Sequence, residues 1–236
     1  MTGHRHGSSF AGWFGPSFQE SGMASIKSSG THRQIQITDP EGASSRMVSL
    51  DEVLIWLEAH SGAMAARWLL ELRSRSRDLD PEDERLLGEF LALLIRLLPE
   101  CLGAYRQQGL PLLHQAAELY GHLAALRGLA AGEGVEEIQI LREVLLRFLF
   151  RDPPGQGRAR GLGLRELLHL SRLADQLVTH TSVGHTDTLF FKLFQGHGVP
   201  NSTSEQTRAE VRDQLDEIRR ELDGLRALDV DPGEER

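Results

Sequence analysis

The chain has 236 residues, with 26 Lys and Arg against 34 Asp and Glu, a formal net charge of −8, 40% hydrophobic residues and a single Cys. That length allows one or two domains, and the acidity argues against a general nucleic-acid binder, which needs a basic stripe to neutralise phosphates. One Cys excludes an intramolecular disulfide framework and a thiolate zinc site, and fits a reducing cytoplasm. No window approaches the roughly 18 uninterrupted apolar residues of a membrane span, and no compact apolar segment follows the N-terminal basic residues, so neither a transmembrane segment nor a signal peptide is predicted.

Residues 1–47 are rich in Gly, Ser, Thr and His and lack a sustained helical period, so they are predicted to be a disordered arm. Phe10, Trp13, Phe14 and Phe18 interrupt that composition and are candidate docking residues. From Ser49 the pattern turns helical. Ser49 is a good N-cap, Asp51 and Glu52 suit a first turn, and Val53, Trp56, Leu57, Met64, Trp68 and Leu72 recur at helical spacing to about Ser76. Asp80-Pro81 followed by three acidic residues restarts the chain into a helix that is apolar on most sides through Leu98. Pro99 is expected to kink it or restart it as a shorter piece to about Gln108. A third helix is predicted from Gly109 and Pro111 to about Gly132 or Gly134, and a fourth from Glu136 to about Phe150. A Gly/Pro-rich loop follows, then a fifth helix from about Leu164 to Thr181 or on to the apolar end at Phe194.

After Gly196, Gly198 and Pro200 the chain places Val211, Leu215, Ile218, Leu222 and Leu225 at steps of four, three, four and three. That narrow heptad seam favours a two-stranded coiled coil, and so a homodimer; the competing reading is a helix packed back on the bundle. Residues 204–236 also hold 6 basic against 11 acidic residues, so much of the net charge sits in this tail. The expected organisation is a disordered arm (1–47), a helical domain (48–200) and a heptad helix with an acidic tail (201–236). The fold class is all-α: a compact bundle of about five helices with a C-terminal coiled-coil helix.

The order and spacing of certain residues resemble the RsbRD-type N-terminal sensor domain of stressosome co-antagonists and of some sensor histidine kinases. Arg67, Trp68 and Arg73 resemble that family's opening helix, and Glu82 to Leu98 its acidic-start, Leu-rich second helix. His122, Arg127, Gly132, Glu136, Glu137, Leu141 and Arg142 resemble its third and fourth helices, and Asp175 lies at the middle of a helix like its closing one. The resemblance spans roughly residues 50–195. It implies a globin-like sensory domain without haem that signals to an output module. Neither a STAS domain nor a kinase follows in these residues, so the output is expected in a separate partner or in the C-terminal helix.

The candidate chemistry is sparse. A phosphotransfer helix needs a cation one turn beyond its His, whereas Arg127 follows His122 by five residues, about 140° around a helix. His122, Arg127, Glu137 and Arg142 are therefore expected to form a structural or sensory network, with Arg127 and Arg142 pairing to Glu136 or Glu137. His169, His180, His185 and His197 are separated by eleven, five and twelve residues, not the three or four of a chelating helix. No nucleophile elbow, zinc-protease motif, P-loop or dinucleotide fingerprint is present, so no catalytic residue, metal ligand or cofactor is assigned. Cys101 reads as a small buried hydrophobe. Phe148, Phe150, Phe190, Phe191 and Phe194 read as core, and in a sensor they mark where an apolar cavity belongs. The expected function is a non-enzymatic cytoplasmic sensory or regulatory domain acting through helix packing and dimerisation. The alternative is a scaffold subunit docking through its aromatic arm and acidic tail; a haem or metal binder ranks behind both.

Overall fold

Capping chemistry sets where each helix begins. Ser49 and Glu52 form a reciprocal capping box, Ser49 N donating to Glu52 Oε2 at 2.8 Å and Glu52 N to Ser49 Oγ at 3.3 Å. Asp80 accepts from Glu82 N at 2.8 Å, with Pro81 opening the helix behind it. The computed structural model describes residues 48–75, 79–155, 162–194 and 204–227. Phe10, Trp13, Phe14, Phe18 and His197 lie outside them. The described residues form the helices α1 (Leu50–Arg75), α2 (Pro81–Leu102), α3 (Arg106–Leu126), α4 (Ala131–Arg151), α5 (Leu164–Phe194) and α6 (Glu205–Ala227), without a strand among them. The fold is all-α, as the hydrophobic periodicity predicts.

Four boundaries differ from the sequence reading, among them the start of the fourth helix, at Ala131 instead of Glu136. Pro99 lies inside α2, which continues to Leu102; burial of Leu97, Leu98 and Cys101 outweighs the one backbone bond the proline removes. The third helix starts at Arg106, ahead of Gly109, where a side chain would press on the Glu100 and Cys101 backbone at 3.0–3.2 Å. It ends at Leu126, earlier than expected, because Gly128 takes a left-handed φ of 78°. There Leu129 N donates to Ala124 O and Gly128 N to Ala125 O, both at 3.1 Å, the paired bonds of a Schellman stop. Glu133 then caps the start of α4 by accepting from Ala130 N at 2.7 Å.

Contacts in order along the chain define the topology. Leu69 meets Gly88 while Leu54 meets Gly103, so α1 and α2 are antiparallel. In the α3/α5 pair His180 meets Glu118, Thr181 meets Ala117 and Thr188 meets His122, so these two helices run parallel. In α4 and α5, Gly134 faces Thr181 whereas Arg142 faces Asp175, an antiparallel pairing. Trp68, Phe90 and Tyr120, all fully buried, form an aromatic cluster in the common core, with Phe90 edge-on to Tyr120 at 5.9 Å between ring centres.

The seam of α6 is where the structure departs most from expectation. Val211, Leu215, Ile218 and Leu222 are 0–1% exposed and belong to the core cluster, with Leu225 packed at its edge. They fill the groove between α2 and α3, so the expected dimer seam is occupied by the chain's own bundle. Arg208 reaches Asp83 at the start of α2 and Arg226 reaches Glu100 near its end, placing α6 parallel to α2. The physical reason is complementary charge: the acidic residues of α2 line up with the arginines of α6, while its apolar stripe covers Leu-rich surface that is otherwise left in water. The helix α6 therefore belongs to the same compact unit as the other described helices.

The expected burial of the phenylalanines is also corrected. Phe148 packs against the core, but Phe150 is 91% exposed and Phe194 84% exposed, and Phe190 and Phe191 are exposed as well. The helix α5 has 31 residues against 21 for α3, and Thr188 already lies beside His122 near the α3 end. The last turn of α5 thus overhangs the helix it packs on.

Candidate functional site

Glu137 is brought into the core by the first turns of α4, whose inner face also carries Ile138 and Leu141. A buried carboxylate needs partners, and two side chains converge on it. Arg127 donates from Nη1 and Nη2 to Oε2 and Oε1 at 3.0 and 2.9 Å, and Tyr120 Oη donates to Oε2 at 2.7 Å. Trp68 Nε1 donates to the Glu137 carbonyl at 2.8 Å, tying α1 to the same residue. Burial works against the Arg127 charge, but Glu137 more than compensates and holds its pKa above the ordinary arginine value. Burial first, then the Glu137 charge, pushes the Tyr120 phenol well above its usual range, so it serves as a hydrogen-bond donor.

Of the network expected among His122, Arg127, Glu137 and Arg142, the structure joins Arg127 to Glu137 and sends the others elsewhere. His122 Nδ1 bonds Thr188 Oγ1 at 2.7 Å, and Arg142 pairs with Asp175; both partners lie on α5. The divergence follows from helix geometry, since residues five apart point in different directions. Burial, and then the nearby Lys192 charge, lowers the His122 pKa below its ordinary value. Sequence reasoning missed Tyr120 and Trp68 as members of the Glu137 cluster; an aromatic with a polar tip on an otherwise apolar helix face was the available signal.

It also missed the closeness of α3 and α5. A β-carbon at Gly121 would collide with the Thr181 carbonyl oxygen and stand 2.8 Å from His185 N, and one at Gly184 would collide with the Glu118 carbonyl. Two glycines inside helices, each unfavourable in isolation, were the sequence signal. Histidines line this seam. His114 stacks on His180 with ring centres 3.8 Å apart, His180 Nδ1 bonds Glu118 Oε1 at 2.7 Å, and buried His185 Nε2 donates to Leu129 O at 2.8 Å. Burial, followed by the His180 charge, lowers the pKa of His114. His169 lies in a separate groove beside Cys101 and Leu50. Among the described residues no three His, Cys, Asp or Glu side chains converge in a way that holds a metal ion.

An open groove of about 890 Å³ lies between α1 and the C-terminal half of α4, lined by Arg67, Val144, Arg147, Phe148, Phe150 and Arg151 among others. His60 closes one end: Trp56 Nε1 donates to Asp152 O at 2.6 Å, and His60 bonds the Trp56 carbonyl and the Asp152 carboxylate at 2.8 and 2.9 Å. Phe148 and Phe150, expected to mark a cavity, border this groove, whereas Phe190 and Phe194 do not. Cys101 is buried, and desolvation, aided by Glu100, pushes its thiol up to about 12, which removes thiolate chemistry at neutral pH. No helix among the described residues is long and apolar enough to cross a membrane. Comparison of the chain with protein-family models, with curated proteins and with solved structures finds no match.

Proposed function

We propose that this chain is a non-enzymatic sensory or regulatory domain of the RsbRD type, in which α6 is the element that passes the signal to a partner. The observation that carries the reading is the packing of a heptad seam, Val211, Leu215, Ile218 and Leu222, against α2 and α3 of the same chain. A seam with this spacing is also the kind that pairs helices of separate chains. Four fully buried side chains hold α6 to the bundle, together with ion pairs that range from part-buried, Arg208–Asp83 at 2.8 Å and Arg219–Glu89 at 3.1 Å, to solvent-exposed, Arg96–Asp223 at 3.1 Å. Exposed pairs of this kind each contribute about 0–1 kcal/mol. A signal that loosens α2 or α3 thus shifts α6 from its own groove to a second copy or a separate output protein, by differential stability of two packings.

Hydrogen exchange on the full chain tests this. Release of α6 as a unit gives its amides a lower opening free energy than those of α2 and α3. A short bis-maleimide link between cysteines replacing Glu89 and Arg219, whose side-chain tips meet at 3.1 Å, abolishes that difference. Equal protection of all three helices in the unlinked protein sinks the proposal and leaves α6 as a fixed part of the bundle.

A scaffold role is the second reading, favoured by the exposed overhang of Phe190, Phe191 and Phe194. It leads to self-association or partner binding that survives locking of α6 and disappears when those phenylalanines are replaced by Ser.

A further inference from the structure

We propose that the end of the bundle formed by the C-terminus of α4 and the N-terminus of α5 is a docking face for an anionic lipid surface. The Arg142–Asp175 ion pair fixes how the two helices sit side by side. One and two turns along α4 from Arg142 stand Leu146 and Phe150; two and three turns back along α5 from Asp175 stand Leu168 and Leu164. All four are exposed, Leu164 at 70% and Phe150 at 91%. Two antiparallel helices thus end in one contiguous apolar face turned to solvent, a feature that marks an interaction site rather than chance exposure.

The charge around this face selects the partner. On the neighbouring strip of each helix, about 60–100° round from the apolar residues, lie Arg147 and Arg151 of α4 and Arg165 and Arg172 of α5. Among the described residues Arg151, Arg165 and Arg172 have no ion-pair partner, while the nearby carboxylates Glu143 and Asp152 are engaged by Arg147 and His60. Glu166 is the acidic side chain that remains on this part of α5. Along the sequence, residues 142–175 hold 7 Arg against 4 Asp and Glu, a local cationic surplus on a chain of net charge −8 that points to an anionic partner. Shape separates a bilayer from a partner helix. Side chains exposed as far as Phe150 and Leu164 protrude, and a protruding Phe/Leu tip ringed by arginines is received by the headgroup–acyl boundary, where the rings insert and the guanidinium groups meet phosphates. The groove between α1 and α4 opens beside the same tip, with Arg67 and Arg151 on its wall.

Co-sedimentation of the full chain with phosphatidylcholine–phosphatidylglycerol vesicles, and with phosphatidylcholine vesicles alone, tests the proposal. The chain partitions onto the anionic vesicles only, and partitioning falls as salt is raised from about 0.1 to about 1 M, where the Debye length shrinks from roughly 10 to 3 Å. Arg151→Gln and Arg165→Gln each weaken it roughly fivefold. The double variant Phe150→Ser, Leu164→Ser abolishes it with unchanged helical circular dichroism, since neither side chain is in the core. No partitioning, equal partitioning onto both vesicle types, or partitioning indifferent to the double variant overturns the proposal. Concentration-dependent dimerisation in light scattering that the double variant removes, without vesicle binding, also overturns it and assigns the face to a second copy.

Discussion

Arg127 and Glu137 face each other across the turn between α3 and α4 as a two-pronged ion pair, their side chains only 6% and 10% exposed. Tyr120 and Trp68 bond the same glutamate, so one residue links α1, α3 and α4. A buried pair of this kind is fragile to removal of one partner, because the other charge is then stranded in the core. Arg127→Met or Glu137→Gln is expected to destabilise the domain by about 3–5 kcal/mol, and the paired Arg127→Met, Glu137→Met change by less than the sum. Tyr120→Phe is expected to lose about 1–1.5 kcal/mol, as Arg127 still satisfies the carboxylate. Urea unfolding measures all of these; losses near those of an exposed pair, under about 1 kcal/mol, contradict the burial of this cluster.

The crossing of α3 and α5 gives a sharp contrast among glycines. Gly184→Ala or Gly121→Ala forces a methyl group into the opposite helix's backbone, which has no rotamer with which to yield, so the helices must separate. The expected loss is about 1–3 kcal/mol or more, as for overpacking. Gly62→Ala, in open space on α1, is expected to stabilise by roughly 0.5–1 kcal/mol through helix propensity alone. Thermal melts of the three variants decide this; similar behaviour at Gly62 and Gly184 contradicts the close crossing.

For α6, Leu215→Ala is expected to destabilise by about 2–5 kcal/mol, as a fully buried leucine does, whereas Leu225, at the seam's edge, matters less. An intramolecular seam makes the unfolding midpoint of the wild type independent of protein concentration. A dimer seam makes it rise with concentration by mass action, so a dilution series distinguishes the two.

Two histidines make stability depend on pH. His114 and His122 are held below their ordinary value of 6.5, burial being the main cause in each; His180 and Lys192 add to it, while Glu118 and Glu210 oppose it. Below about 6.5 the unfolded chain takes up protons that the folded state resists, so stability is full above that pH and declines as pH falls through it toward the depressed folded values. Denaturation profiles between about pH 5 and 8 are expected to show this slope. His122→Asn is expected to flatten it, and an unchanged profile in that variant removes His122 from the account.

Much of the helical architecture was legible along the chain because capping residues and a 3.6-residue period are local properties. Ser49, Asp80-Pro81 and the Leu-rich runs place α1 and α2 to within a few residues, and Glu137 with Arg127 was a readable pair of opposite charges one loop apart. The same local period puts Ile138, Leu141, Val144 and Leu145 on one face of α4, which the structure buries, with Phe148 and Leu149 partly buried beyond them. What it lacked was direction between helices. His122 and Arg142 turn to α5, not to Glu137, and nothing in their spacing says which helix lies beside them.

The heptad seam of α6 shows where the division falls. Its spacing by itself determined that Val211, Leu215, Ile218 and Leu222 seek an apolar partner, because a stripe of that period cannot stay in water. Only the tertiary structure decided whose surface they cover, since the groove between α2 and α3 exists only once those helices have paired, and its acidic edge matches the arginines of α6. The phenylalanines give the converse case. Hydrophobicity determined that Phe150 and Phe194 favour burial, yet both are exposed because, among the described residues, α4 and α5 end where no neighbouring helix covers them. Period and polarity belong to the chain, whereas coverage depends on the lengths and directions of other helices, which no local stretch of sequence contains.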